Sequence, residues 1–416
     1  MLKIGPFLSV VATLSFSIGA RSVTAFAQNA PPASQPEPTQ SFGVTGDWFD
    51  LRKRMALDGL TVVGSIDYDY SKNFQGGIST ANDASRELLN LSAKFTTDQF
   101  LHWHGGTFLI KLQDHEGSDG TQSLTGDAQR FDNQDAPRFI QLSELWYQQL
   151  FLDDKFRLKI GRIDVNTEFA YVSNASAFLN SSYGASPAIL AMPTYPDAAL
   201  GANLFWTPNA HFYVGAGAYC SNRSDQSLIF SGHPNTFDPT TGGIFSILEL
   251  GATWNLGKAQ LPGRIALGGY GHNGQFQRFS GSAQAGEAGM YAMFDQTVWQ
   301  PSASASNSSI GVFTQFSVAD SHVALMDQHI GTGIQWTGPL PLSSRSTDVF
   351  GLGPTWVHFS DQSQAVDPYE LAIEGFYKLQ ITPWFDVQPD LQYIINPGGT
   401  GRSNALVMTL RAELDF

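Results

Sequence analysis

The chain has 416 residues, with 23 basic and 37 acidic side chains and a net charge of −14, a balance that argues against nucleic acid as a partner. One cysteine, Cys220, rules out an intrachain disulfide framework and a Cys-based zinc site, and reads as a small filler near a strand end. Beyond the N-terminus no stretch approaches 18 consecutive apolar residues, so helical spans of a membrane are not expected. Hydrophobic content of 42% and mean hydropathy of −0.13 suit a soluble protein. They suit a membrane barrel equally, because a barrel places its apolar half at every second position and gives no hydropathy peak.

Lys3, the apolar run from Phe7 to Ala20 and the small-x-small sequence Ala25, Phe26, Ala27 predict a secretory signal over 1–27, with Arg21 interrupting the approach to the cleavage site. Residues 28–46, opening with a tract of Pro, Ala, Ser and Gln, cannot bury a core and are expected to form a flexible leader. Residues 47–59 have the spacing of one short periplasmic helix, with Trp48, Leu51, Met55 and Leu57 as its packing residues.

After Gly59 the period becomes two. Leu60, Val62, Ile66, Tyr68 and Tyr70 alternate with Thr61, Ser65, Asp67 and Asp69, and the last run sets Met408, Leu410, Ala412, Leu414 and Phe416 against Thr409, Arg411, Glu413 and Asp415. Comparable runs lie near 88–97, 106–114, 139–150, 156–162, 199–207, 211–219, 245–256, 264–274, 288–299, 309–319, 329–338, 347–359, 370–382 and 385–395. With the first and last they make sixteen strands over 60–416. The connections between them alternate long (71–87, 115–138, 163–198, 220–244) with short (98–105, 151–155, 208–210, 257–263). That alternation follows when both termini lie on the periplasmic side of an antiparallel transmembrane β-barrel. Aromatics where runs end, Trp206, Trp299, Trp336, Trp384 and Phe385, fit interfacial girdles or a soluble β-core alike.

The stretches GDWFDLRKRMALDGLTVVGSIDYDY (46–70), ELWYQQ (144–149), KIGRIDVNTEFAYVSNASAFLNSSYG (159–184) and EGFYKLQITPWFDVQPDLQYIINPGG (374–399) carry a resemblance to the carbohydrate-selective porin family of the OprB type. The last is the most specific, with a tight turn at Thr382, Pro383 and Trp384 and a strand-interior Pro389. The resemblance implies a sixteen-stranded outer-membrane barrel through which sugars diffuse inward, narrowed by loops folded into the lumen. The partners expected are carbohydrate solutes, outer-membrane lipid and the assembly machinery that reads a C-terminal strand ending in Phe416. Monomer and homo-oligomer both stay open, and no cofactor is implied.

A sugar channel needs polar side chains for hydroxyl groups and an aromatic face for the ring, and must hold its solute weakly. Loop 163–198 is the expected constriction, with an extracellular cap as the alternative. Its candidates are Asp164, Glu168, Asn180 and Tyr183, and the walls offer Lys111, Glu144, Trp146, Arg157, Lys159 and Arg162. Arg162 shares parity with Phe156, Leu158 and Ile160, so it faces the lumen only if a bulge or strand end intervenes. His102 and His104 flank Trp103 without a third ligand, and no metal motif is found. GxSxG, HExxH and Walker sequences are absent, and although Glu144 with Asp164 could imitate a glycosidase pair, a wide lumen does not exclude water, so no enzyme is expected. The rival reading is a general, cation-selective or organic-acid channel of the same architecture.

Overall fold

A computed structural model describes residues 43–220, 242–301, 308–340 and 342–416. The predicted signal, the leader as far as residue 42 and most of the connection predicted over 220–244 lie outside the described residues. The strands are β1 Leu60–Gln75, β2 Asp83–Thr96, β3 Gly106–Gly117, β4 Phe139–Phe151, β5 Phe156–Ile163, β6 Ala199–Asn209, β7 Phe212–Cys220 and β8 Ile244–Leu256. They continue with β9 Leu261–Gln277, β10 Ala283–Trp299, β11 Ser309–Val318, β12 Met326–Thr337, β13 Val349–Phe359, β14 Tyr369–Thr382, β15 Phe385–Ile395 and β16 Ala405–Asp415. Each pairs antiparallel with its sequence neighbour and β16 pairs with β1, which closes the barrel. The last residue completes the seam, Phe416 and Gly64 exchanging backbone hydrogen bonds of 3.0 and 3.1 Å. Closure leaves no strand edge unpaired, the condition for spanning a bilayer with strands.

Alternation sets the faces. On β16, Val407, Thr409 and Arg411 turn inward and are buried, while Met408 and Leu410 point outward and are exposed. The inward side of the barrel is not a plain polar wall. Phe245 and Ile247 of β8, Phe313 of β11 and Phe376 of β14 lie on it, buried in one apolar cluster with residues of the loop after β5.

One connection and one helix differ from expectation in ways that matter here. The first, expected over 71–87, is only 76–82, because β1 and β2 continue past the predicted ends. Ser71 and Asn73 keep the alternation inside the lumen, where Ser71 Oγ lies 2.8 Å from Thr409 Oγ1 and Asn73 Nδ2 donates to Leu124 O at 3.1 Å. Polar residues that read as loop are satisfied by the neighbouring strand and by the loop after β3. The helix α1, Leu51–Leu57, also packs otherwise than its apolar spacing suggests. Arg52 is its buried residue, donating to Gly46 O at 2.8 Å and lying over the Trp48 ring, while Leu51 and Leu57 are exposed. Val44 N donates to Asp415 O at 3.0 Å, so the segment before α1 is tied to the end of β16 on the rim of the short turns.

Candidate functional site

The loop between β5 and β6, here L3 (164–198), lies inside the barrel against strands far from its own. Ala170 N donates to Glu249 of β8 at 2.9 Å, Ser173 N and Asn174 N to Asp295 of β10 at 3.0 and 2.9 Å, and Leu179 N and Asn180 N to Glu374 of β14 at 2.6 and 3.0 Å. Ser186 Oγ meets His329 Nδ1 of β12 at 2.8 Å, and Tyr270 of β9 bonds Leu190 N and Ala188 O. Between these points Phe178 packs edge-on against Phe313 and Phe376, at 5.4 and 5.0 Å between ring centroids. The inward apolar wall residues thus have a partner. A backbone taken out of water needs its N–H groups satisfied, and wall carboxylates accept them, Asp295 and Glu374 in adjacent pairs.

The loop between β3 and β4, L2 (118–138), is held by the same device. Ala128 N and Gln129 N donate to Glu370 of β14 at 2.7 and 3.0 Å. Two buried arginines fix it to the barrel seam. Arg86 of β2 pairs with Asp132 at 3.1 Å and with Asp135, and Arg411 of β16 forks onto Asp69 at 2.8 and 2.6 Å and reaches Asn133 Oδ1 at 2.8 Å. L2 and L3 also bond each other, Asn133 N to Leu179 O at 2.7 Å and Ser181 N to Arg130 O at 2.9 Å.

The expected wall residues gather on β3, β4 and β5. Lys111 faces Glu144 at 3.6 Å, Trp146 Nε1 donates to Glu144 at 3.1 Å, and Lys159 Nζ lies 3.9 Å from the centroid of the Trp146 ring. Arg157 and Lys159 both pair with Glu168 of L3, Arg157 at 2.6 Å. Burial pushes the Glu168 carboxyl up, but Lys159 and Arg157 together outweigh it and hold it below the usual carboxylate range. Asp164 accepts from Asn166 N at 3.0 Å at the mouth of L3.

Arg162 does turn inward. Register slips beside Lys111, opposite Ser143 and Glu144, and Gly161 sits at φ 142°. A Cβ on Gly161 would lie 2.2 Å from Leu145 O, so only glycine fits. Arg162 then donates to Ser143 O at 2.9 Å and to Gln141 Oε1 at 3.3 Å, and is 2% exposed.

Asn180 and Tyr183 stand apart from the other candidates. Both are fully buried: Asn180 accepts from Ser182 N and donates to Gln392, and Tyr183 donates to Gly353 O. Fully buried, they hold L3 to the wall. Glu168, 2% exposed, meets its two cations rather than water.

Two sets of residues escaped the sequence. Asn90, Gln113 and Gln141 form an amide ladder across β2, β3 and β4, with Gln113 Nε2 donating to Asn90 Oδ1 at 2.9 Å and Gln141 reaching Gln113 at 3.5 Å. Arg162 extends it to β5. The loop anchors Glu249, Asp295, Glu370 and Glu374 were also missed. Their one legible signal was Phe245, Ile247, Phe313 and Phe376, apolar at inward positions where a water-filled lumen would want polar groups.

A closed sixteen-stranded barrel with charged and amide side chains inside and apolar residues outside is the architecture of an outer-membrane porin. The chain belongs to the OprB family of carbohydrate-selective porins, whose model matches residues 81–416. It is 23% identical to Porin B of Pseudomonas aeruginosa, with 96% of each chain covered. Among solved structures it is similar in fold to the high-pH structure of Pseudomonas putida OprB, with a TM-score of 0.79 and 19% identity over 90% of this chain and 98% of that one. The low-pH structure of the same protein matches with a TM-score of 0.58 and 18% identity over the same shares.

Proposed function

We propose that the protein lets glucose-like mono- or oligosaccharides diffuse into the periplasm through a water-filled lumen narrowed by L3, assisted by L2. The observation that carries this reading is charge balance along β3, β4 and β5, where L3 meets the wall. Lys111 faces Glu144, Arg157 and Lys159 share Glu168, and the cations lie beside the amide ladder and the Trp146 ring. Paired charges present many hydrogen-bonding groups with little net field, which suits a neutral polyhydroxylated solute better than an ion. The amides offer both donors and acceptors to equatorial hydroxyls, and Trp146 offers a ring face.

The rival, a cation-selective or organic-acid channel, draws on the net charge of −14. Much of the inward acidity is already engaged, however. Glu249, Asp295, Glu370 and Glu374 accept loop N–H groups and are buried. Outer-membrane lipid and an assembly factor reading the strand that ends in Phe416 complete the proposed partners. Planar-bilayer conductance of the mature protein, titrated with glucose and with maltose under a salt gradient, tests the reading. Stepwise block by sugar with a reversal potential near zero supports it; channels indifferent to sugar and strongly ion-selective would overturn it.

A further inference from the structure

Around the rim of short turns the outward face of the barrel carries aromatic groups in contact. Phe95 meets Phe100 at 6.1 Å, Tyr147 meets Phe108 at 4.5 Å and Trp103 at 6.0 Å, and Phe156 bridges Phe151 and Trp206 at 5.5 and 6.2 Å. Such rings sit at the lipid–water boundary of an outer-membrane barrel. α1 is continuous with this belt. Its exit residue Gly59 accepts from Thr96 N at 2.8 Å beside Phe95, and the following Leu60 pairs with Phe95 itself. The helix α2, Thr97–Phe100, starts from the same Thr96 and leads to Leu101 and Trp103, which like Phe100 are exposed.

The exposed side of α1 carries two leucines among charged residues. Arg52, Met55 and Ala56 turn toward the barrel, and Leu51, Lys53, Arg54 and Leu57 turn away. Phe49, just before the helix, is fully exposed, and it is held there by three successive left-handed residues, Trp48, Phe49 and Asp50. Such a run costs roughly 1–2 kcal/mol per residue, an expense with no return if Phe49 merely projected into water. Charge does not favour one sign of lipid: Arg52, Lys53 and Arg54 stand against Asp47, Asp50 and Asp58, and Lys53 already pairs with Asp47 at 2.9 Å.

We propose that Phe49, Leu51 and Leu57 of the α1 segment, together with Phe100, Leu101 and Trp103, insert into the acyl boundary of the periplasmic phospholipid leaflet and extend the aromatic belt into a lipid-anchored foot. Insertion is apolar rather than electrostatic. The full mature chain carrying Leu57→Cys in a Cys220→Ser background, spin-labelled and reconstituted in phosphatidylethanolamine vesicles with and without phosphatidylglycerol, tests it. The label is expected to collide more with oxygen than with a water-soluble nickel chelate, as one at the outward wall residue Leu248 does, and to the same depth in both lipid mixtures. Phe49→Cys gives an independent reading should the first variant disturb the helix. Collision behaviour at both sites like that of a label at the exposed Asp361 would overturn the proposal, and so would insertion that appears only with the anionic lipid.

Discussion

Glu168 balances two cations, so it is where one substitution should cost most. Glu168→Gln takes the paired carboxylate from buried Lys159 and half-buried Arg157, a loss of about 3 kcal/mol. Thermal unfolding in detergent should show it, and reversal potential should move toward anion preference. The carboxyl titrates below its ordinary value of 4.5 in the folded protein, so its contribution is complete above that value and fades as pH falls through the lower folded one. Unfolding temperature against pH should therefore stay flat in this term at neutrality and drop only in acid. Trp146→Ala removes the ring face and should weaken sugar block about two- to tenfold, the 0.5–1.5 kcal/mol scale of an aromatic contact, with single-channel conductance unchanged or raised. Arg162 marks the limit of parity at this scale. Counting by twos put it outward, and a register slip with a single positive-φ glycine turned it in; neither leaves a local pattern that a one-residue alternation can register.

The elements divide by how local their causes are. Sixteen strands could be read because each repeats its own period of two, and the turn at Thr382, Pro383 and Trp384 because its residues are restrictive. L2 could not be read as an inward element. Its Gly, Ser, Asp, Asn and Gln are those of any solvated loop, and the groups that hold it, Glu370 and Arg411, stand more than two hundred positions away. The anchors themselves are testable. Glu374→Gln leaves one acceptor oxygen where Leu179 N and Asn180 N each had their own, so one loop N–H loses its bond, a loss of about 1–3 kcal/mol; conductance should rise and sugar block decline as L3 loosens. On the opposite rim, His104 bridges Asp98 at 3.0 Å and Asp154 at 2.9 Å, joining two turns. Its hydrogen bonds to Asp154, then to Asp98, raise its pKa above 6.5. This clamp is complete below that value and is lost as pH rises through the raised one, so amide protection at 97–105 and 152–155, taken relative to the intrinsic exchange rate, should fall in alkali, and His104→Ala should abolish that fall.

For the molecule as a whole, composition misleads about charge. A chain at −14 looks like a cation pore, yet the carboxylates described on its inner face are largely tied to loop backbone and to arginines. Selectivity for potassium over chloride is accordingly expected to be weak, and to sharpen only when an anchor such as Asp295 is freed by deleting its loop partners. The placement of those anchors bears also on the order of events in time. L3 emerges at residue 164, whereas Glu249, Asp295, His329 and Glu374, to which it is fastened, are all made after it. Until β14 is made, the loop lacks Phe376 of its apolar wall and the Glu374 acceptor for Leu179 N and Asn180 N. Its full set of anchors is therefore assembled only once β14 arrives, so the inward loop and the wall that holds it are finished together.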